Sequence, residues 1–263
     1  MLSDFEVEEK ERKYFDFILI HLKEDLNTVI TGLNSRLKIY NDWYNNFIKT
    51  ARSGYNSSDL DTGAERIFHN FFAPILKFPN SSPIGSDLMF ELSDSFIHIE
   101  IKTALLNNPS DYKGKINIGN NQTSYGVDNI FSPNLPHFYR VQETIKYCLT
   151  YVVQVVHEHA KPDIKALKLL CIPNGQLYSH YKDSVFRSGK GGKVKGKDFR
   201  YNYSAAPLFN LLSKQYNKKI FRIELIYLAN GLEIQDITPF RRSCSFFSKL
   251  RMKNRINELL ILF

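Results

Sequence analysis

SDLMFELSDSFIHIEIKT, from Ser86 to Thr103, alternates apolar and polar side chains on both sides of a short polar break. Leu88, Phe90 and Leu92 are the apolar set of its first half; Ile97, Ile99 and Ile101 are that of its second. A period of two reads as strand, so the stretch predicts a β-hairpin. If both apolar sets share one face, even positions of the first strand pair with odd positions of the second. Two turns satisfy that parity. A two-residue turn at Ser93-Asp94 sets Asp87 opposite Glu100, and a four-residue turn sets it opposite Lys102. Either way Asp87, Glu100 and Lys102 lie on one face, where opposed Cβ atoms stand about 4.5–5.5 Å apart.

Two carboxylates that close repel each other unless a cation sits between them. Mg²⁺ takes oxygen ligands and is typically held by one or two carboxylates together with phosphate oxygens. A lysine two residues beyond Glu100 points the same way, placed to orient a water or to neutralise a scissile phosphate. The acid-x-Lys triplet itself is cheap: it recurs at Glu8/Lys10, Asp111/Lys113 and Asp163/Lys165, among others. Only Glu100/Lys102 lies on a strand paired with one that opens on an acid. The competing reading is a polar outer face laced with cross-strand salt bridges.

Asp87, a gap of twelve residues, then Glu100-Ile101-Lys102 resembles the PD-(D/E)xK nuclease signature. Pro83-Ile84-Gly85-Ser86-Asp87 stands where the Pro-Asp half belongs, with the proline displaced by three positions. The resemblance covers about residues 60–172 and is most like a type II restriction endonuclease. It implies Asp87 and Glu100 as Mg²⁺ ligands and Lys102 as the water-activating residue. It also implies 5′-phosphate and 3′-hydroxyl products. Two further candidates come with it: Glu65, on the helix before the catalytic strands, and Gln122, twenty residues beyond Lys102. Glu65 has a plainer reading, because Thr62-x-x-Glu65 is a capping box.

The chain has 263 residues, a net charge of +8 and a pI near 9.2. Residues 1–25 hold eight acids against four bases; residues 182–200 hold seven bases against two acids; residues 241–255 hold six bases and no acid. Two basic segments on one chain favour a polyanionic partner. In the first, Lys190, Lys193, Lys195, Lys197, Arg200 and Tyr201 are candidates for DNA contact, the lysines on phosphates and the last two near base edges. Gly191-x4-Gly196-Lys197 lacks the Ser or Thr and the preceding strand of a nucleotide-binding loop. Lys113, Lys115, Asn117 and Asn121, on the segment leaving the Glu100–Lys102 strand, are further candidates for DNA contact. The polar, acidic N-terminus is unlike a secretory signal, no apolar run reaches the roughly 18 to 20 residues of a membrane span, and three scattered cysteines suit a reducing compartment. A cytoplasmic protein is expected.

Residues 4–52 read as helical, and a further helix is expected from Thr62, with Ile67, Phe68, Phe71, Phe72 and Ile75 as its apolar stripe. A long polar loop covers 104–136 and a short helix 137–147. LTYVVQVVH (149–157) and IKALKLLCI (164–172) read as two further strands, followed by a mobile basic segment, a helix near 207–216, a strand over 221–228 and a basic C-terminal helix. The expected fold is α/β: a restriction-endonuclease-like mixed central sheet flanked by helices, with helical additions at both ends. The expected organisation is a helical segment over 1–56, the catalytic core over 57–175 and a basic DNA-contacting part over 176–263. The function expected is Mg²⁺-dependent, sequence-specific cleavage of double-stranded DNA by a homodimer paired with a cognate DNA methyltransferase. The alternatives are a repair or recombination nuclease of the same superfamily and a non-catalytic nucleic-acid-binding protein.

Overall fold

The computed structural model describes residues 1–37, 60–76, 79–80, 87–127, 130–158, 163–189 and 199–240. The expected helix beyond residue 37, the proline half of the signature, Lys190, Lys193, Lys195, Lys197 and the C-terminal basic helix lie outside the described residues.

The hairpin forms with the shorter of the two turns. Strand β2 (Leu88–Glu91) and strand β3 (Ser95–Leu105) pair antiparallel, with Leu88 against Ile99 and Phe90 against Ile97. Leu92 N–H donates to the Ser95 carbonyl at 2.8 Å, which closes the turn over Ser93-Asp94. The register therefore sets Asp87 opposite Glu100. A two-residue strand, β1 (Pro79–Asn80), borders β2.

Residues expected to form a helix are strand instead. Strands β5 (Phe138–Val141) and β6 (Thr144–Glu158) make a second tight hairpin through Gln142, whose φ is 56°. Phe138, Tyr139, Val141, Thr144 and Ile145 are aromatic or β-branched, and such side chains fit a pleated surface better than a short helix. Strand β6 runs antiparallel to β7 (Asp163–Ile172), as expected, but parallel to β3, with Glu100 beside Val152 and Lys102 beside Gln154. Residues 106–143 are thus a crossover and not a simple loop. Strand β10 (Ile223–Leu228) completes the order β1-β2-β3-β6-β7-β10.

The crossover is more ordered than its composition suggests. Strand β4 (Ile116–Ile118) pairs with β9 (Phe199–Tyr201), which pairs with β8 (Phe186–Ser188). The basic segment expected to be a mobile loop is therefore flanked by two paired strands. On the polar face of the hairpin Met89, His98 and Glu100 are as buried as the isoleucines behind them, and Asn117 and Arg200 of the small sheet line a cavity together with Lys102.

Helices α1 (Asp4–Glu24), α2 (Leu26–Leu37) and α3 (Leu60–Leu76) cover the other face. Helix α1 opens on a capping box, Ser3 with Glu6, and buries Phe15, Ile18 and Leu22. Phe72 of α3 packs on Phe90 of the hairpin, 6.5 Å between ring centroids. Helix α1 also buries two acids. Arg222 Nη2 lies 3.1 Å from Glu8 and 2.6 Å from Glu11, at most 1% of each side chain being exposed. Arg222 Nε donates to the Tyr181 hydroxyl, and the backbone N–H groups of Asn174 and Leu212 donate to Glu11 and Glu8. The acidic N-terminal segment is thus bolted through its charges to Arg222, the residue before β10.

Candidate active site

Strand β2 stops pairing at Leu88, so β3 has no neighbour on that side from Glu100 onward among the described residues. The Asp87 carboxylate takes up the slack. Its Oδ2 accepts from the Ile101 backbone N–H at 2.7 Å, where a further strand would have offered a carbonyl. The sheet parts at this edge, and a cavity of about 360 Å³ opens beside it, lined by Glu65, Ile101, Lys102, Thr103, Asp111, Asn117 and Arg200. Its wall combines α3, the Glu100–Lys102 strand, the turn after β3 and the small sheet.

Glu100 lies behind Lys102, fully buried, with Lys102 Nζ 3.2 Å from its Oε2. Burial raises the Glu100 pKa to about 8; the Lys102 ammonium and the Asp87 backbone N–H pull it down, and the Asp87 carboxylate pushes it up. A buried acid facing a second acid is a set that fits a hard cation. Among the described residues no three His, Cys, Asp or Glu side chains cluster tightly enough to hold a metal by themselves. Two carboxylates with water and phosphate completing the shell is the mode expected of Mg²⁺.

A pH effect follows from the Glu100 shift. Its pKa lies above the ordinary carboxylate value, so the folded protein holds this proton more tightly than the unfolded chain. Its stabilising contribution is complete below about pH 4.5 and is lost as pH rises toward 8. In metal-free protein, Glu100→Gln is expected to gain stability over the parent between pH 5 and 9, by a few kcal/mol at about 1.4 per pKa unit. Urea unfolding across that range checks this; a constant difference between the two proteins would refute it.

The remaining candidates fall into three groups. Asn117 and Arg200 line the cavity, on paired positions of β4 and β9, and Arg200 Nη1 donates to Asp111 Oδ1 at 2.8 Å. Glu65 joins them, exposed on α3. Because α3 begins at Leu60, Thr62 is inside the helix, which removes the capping box as an account of Glu65. Lys113 and Asn121 are exposed and Lys115 is half-buried, all away from the cavity wall. Two readings are corrected. Tyr201 is fully buried: its hydroxyl donates to the Cys171 carbonyl at 3.1 Å, so it is a core residue. Gln122 accepts from the Gly119 N–H at 2.8 Å and caps its own turn. The glutamine beside Lys102 is Gln154, on the neighbouring strand, thirty-two positions further along than Gln122 and visible only once β3 and β6 are aligned.

Models of the type II restriction enzyme MwoI match the chain, the N-terminal domain over residues 4–161 and the central domain over 164–231. The chain belongs to the MwoI family of type II restriction enzymes. It is accordingly a site-specific deoxyribonuclease. Two solved structures share the fold of this MwoI-family chain. The restriction endonuclease BglI bound to its DNA recognition sequence is 15% identical, with a TM-score of 0.55 over 84% of this chain and 93% of that one. The tetrameric restriction endonuclease SfiI bound to cognate DNA is 14% identical, with a TM-score of 0.59 over 88% of each chain. No curated protein matches. The described part of this MwoI-family chain has no helix long and apolar enough to cross a membrane.

Proposed function

We propose that Asp87, Glu100 and Lys102 are the catalytic centre of a Mg²⁺-dependent restriction endonuclease. The observation that carries this reading is the cavity at the open edge of β3, with Lys102 on its wall and the buried Glu100 3.2 Å behind it. Asp87 and Glu100 would hold the ion, which supplies Lewis-acid charge neutralisation and a water of lowered pKa when bound. Lys102 directs its ammonium at the scissile phosphate and the attacking water, and Glu100 keeps it there. Asp87 carries out two tasks, since the carboxylate that faces Glu100 also fixes the Ile101 backbone. Lys113 and Lys115, with Lys190, Lys193, Lys195 and Lys197, supply phosphate contacts whose strength falls with salt, and Arg200 stays the candidate for base edges. Asn117 and Asn121 are the uncharged members of the same DNA-contacting set.

The working unit we propose is a cytoplasmic homodimer, since a two-fold protein matches a two-fold DNA site, with a cognate methyltransferase protecting host DNA. The test is incubation of unmethylated plasmid with the protein and Mg²⁺. Discrete fragments that disappear without divalent cation support the reading; undiminished cleavage in chelator overturns the metal assignment.

Glu65 is a third carboxylate of the same centre in this proposal. Glu65→Gln is expected to lower the cleavage rate about 100-fold with DNA binding unchanged, the low end for a single positioned acid or base. Because the side chain is exposed, its melting temperature should match the parent's, and an unaltered cleavage rate would remove Glu65 from the centre.

A further inference from the structure

Lys168 is buried without a carboxylate partner among its contacts. It lies on β7 in one cross-strand row with Gln154 of β6 and Lys102 of β3. Its Nζ donates to the Tyr112 carbonyl at 2.6 Å and to the Tyr203 hydroxyl at 3.3 Å. The rings of Tyr112 and Tyr203 flank it, each centroid within 5.4 Å of Nζ. The Tyr203 hydroxyl donates to the same Tyr112 carbonyl at 2.6 Å. Next in the row, Gln154 Nε2 donates to the Asp111 carbonyl at 2.9 Å. Two consecutive carbonyls of the turn after β3 are therefore tied to the central sheet by buried side chains. The side chain of the first, Asp111, is tied to Arg200 and lines the Lys102 cavity.

An ammonium in that position is costly to bury, and a well-packed apolar side chain of similar size is often no less stabilising. Stability alone is a poor reason for a lysine here. A donor reaching across two strands does something methionine cannot: it sets the depth of the turn against the strand that carries Lys102.

We infer that Lys168 and Gln154 are positioning residues for DNA cleavage, holding the Asp111–Tyr112 turn in register with the Glu100–Lys102 strand and so fixing the Asp111–Arg200 pair at the cavity mouth. This inference rests on the assignment of Lys102 to the catalytic centre. Neither residue touches DNA; each acts through the backbone of the turn. A displacement of about 1 Å at a reacting centre can cost about 100-fold in rate.

The test uses the full chain with cognate duplex and three variants: Lys168→Met, Tyr203→Phe and, as a reference, Lys102→Ala. For Lys168→Met the expected result is a single-turnover cleavage rate 10- to 100-fold lower. DNA affinity measured with Ca²⁺ in place of Mg²⁺ should stay within threefold, and the melting temperature should not fall. Amide exchange at residues 111–113 should accelerate while β6 and β7 stay protected, a pattern a merely structural role would not give. A rate within threefold of the parent overturns the inference. If Lys168→Met fails to fold, Tyr203→Phe decides, as it removes one hydroxyl from the same tether: a rate 3- to 10-fold lower supports the inference and a parental rate overturns it. If Lys102→Ala still cleaves, the catalytic assignment has failed. If Lys102→Ala is inactive and Lys168→Met is fully active, only the positioning role has.

Discussion

Lys102→Ala is expected to lower the cleavage rate about 1000-fold while leaving DNA binding almost unchanged. In the proposed centre the lysine is the cation that this chain itself supplies. Its Nζ stands 3.2 Å from Glu100 and its side chain is 23% exposed, so it reaches the cavity without being part of the core. A positioned donor aimed at charge that develops in the transition state contributes 100- to 1000-fold. A group that also steers proton transfer adds to that. The measurement is single-turnover cleavage in Mg²⁺, with affinity measured separately in Ca²⁺. Lys102→Arg is not expected to rescue, because a planar fork does not reproduce a compact ammonium. Cleavage within tenfold of the parent would sink the assignment.

The second large effect is on stability. Arg222→Ala leaves Glu8 and Glu11 buried without their cation, and breaking a buried pair in this way costs about 3–5 kcal/mol. In a chain of this size that lowers the melting temperature by roughly 6–20 °C. The loss should depend on pH. Burial already raises Glu11 to about 7, against the pull of Arg222. A raised carboxyl stabilises the fold below about pH 4.5 and ceases to do so as pH climbs through its folded value. Removing Arg222 pushes that value higher, so the variant should be nearer the parent at pH 5 than at pH 8. Combining it with Glu8→Gln and Glu11→Gln should recover much of the loss. Thermal unfolding of the single and triple variants at both pH values checks this; equal deficits at pH 5 and 8 would refute it.

The hairpin and its register were legible because their information is local. Parity of six apolar side chains placed Asp87, Glu100 and Lys102 on one face before the turn was known, and the turn at Ser93-Asp94 then chose between two pairings. The β6–β7 hairpin was legible for the same reason. What was not legible depends on distant partners. The pairing of β3 with β6 is parallel and joins residues far apart in sequence, and no local pattern announces it. Strands β4 and β9 have three residues each and lie within polar, basic stretches, so their alternation is too short to register. Glu8 and Glu11 read as part of an acidic exposed helix, because the arginine that licenses their burial is more than 200 positions away. Tyr201 was misassigned by composition: a tyrosine beside arginine and lysines suits DNA, yet pleat alternation decides which side it faces, and that side is the core. The hairpin's polar face likewise gave no sign that Glu100 would be fully buried.

The Glu8–Glu11–Arg222 bolt spans 214 positions at its widest. On a ribosome adding about 5–20 residues per second, the arginine follows the first glutamate by roughly 10 to 40 s. Until then α1 carries two carboxylates without the cation that pairs with them in the core, so the first helix of the chain has its buried charges matched only when Arg222 has been made.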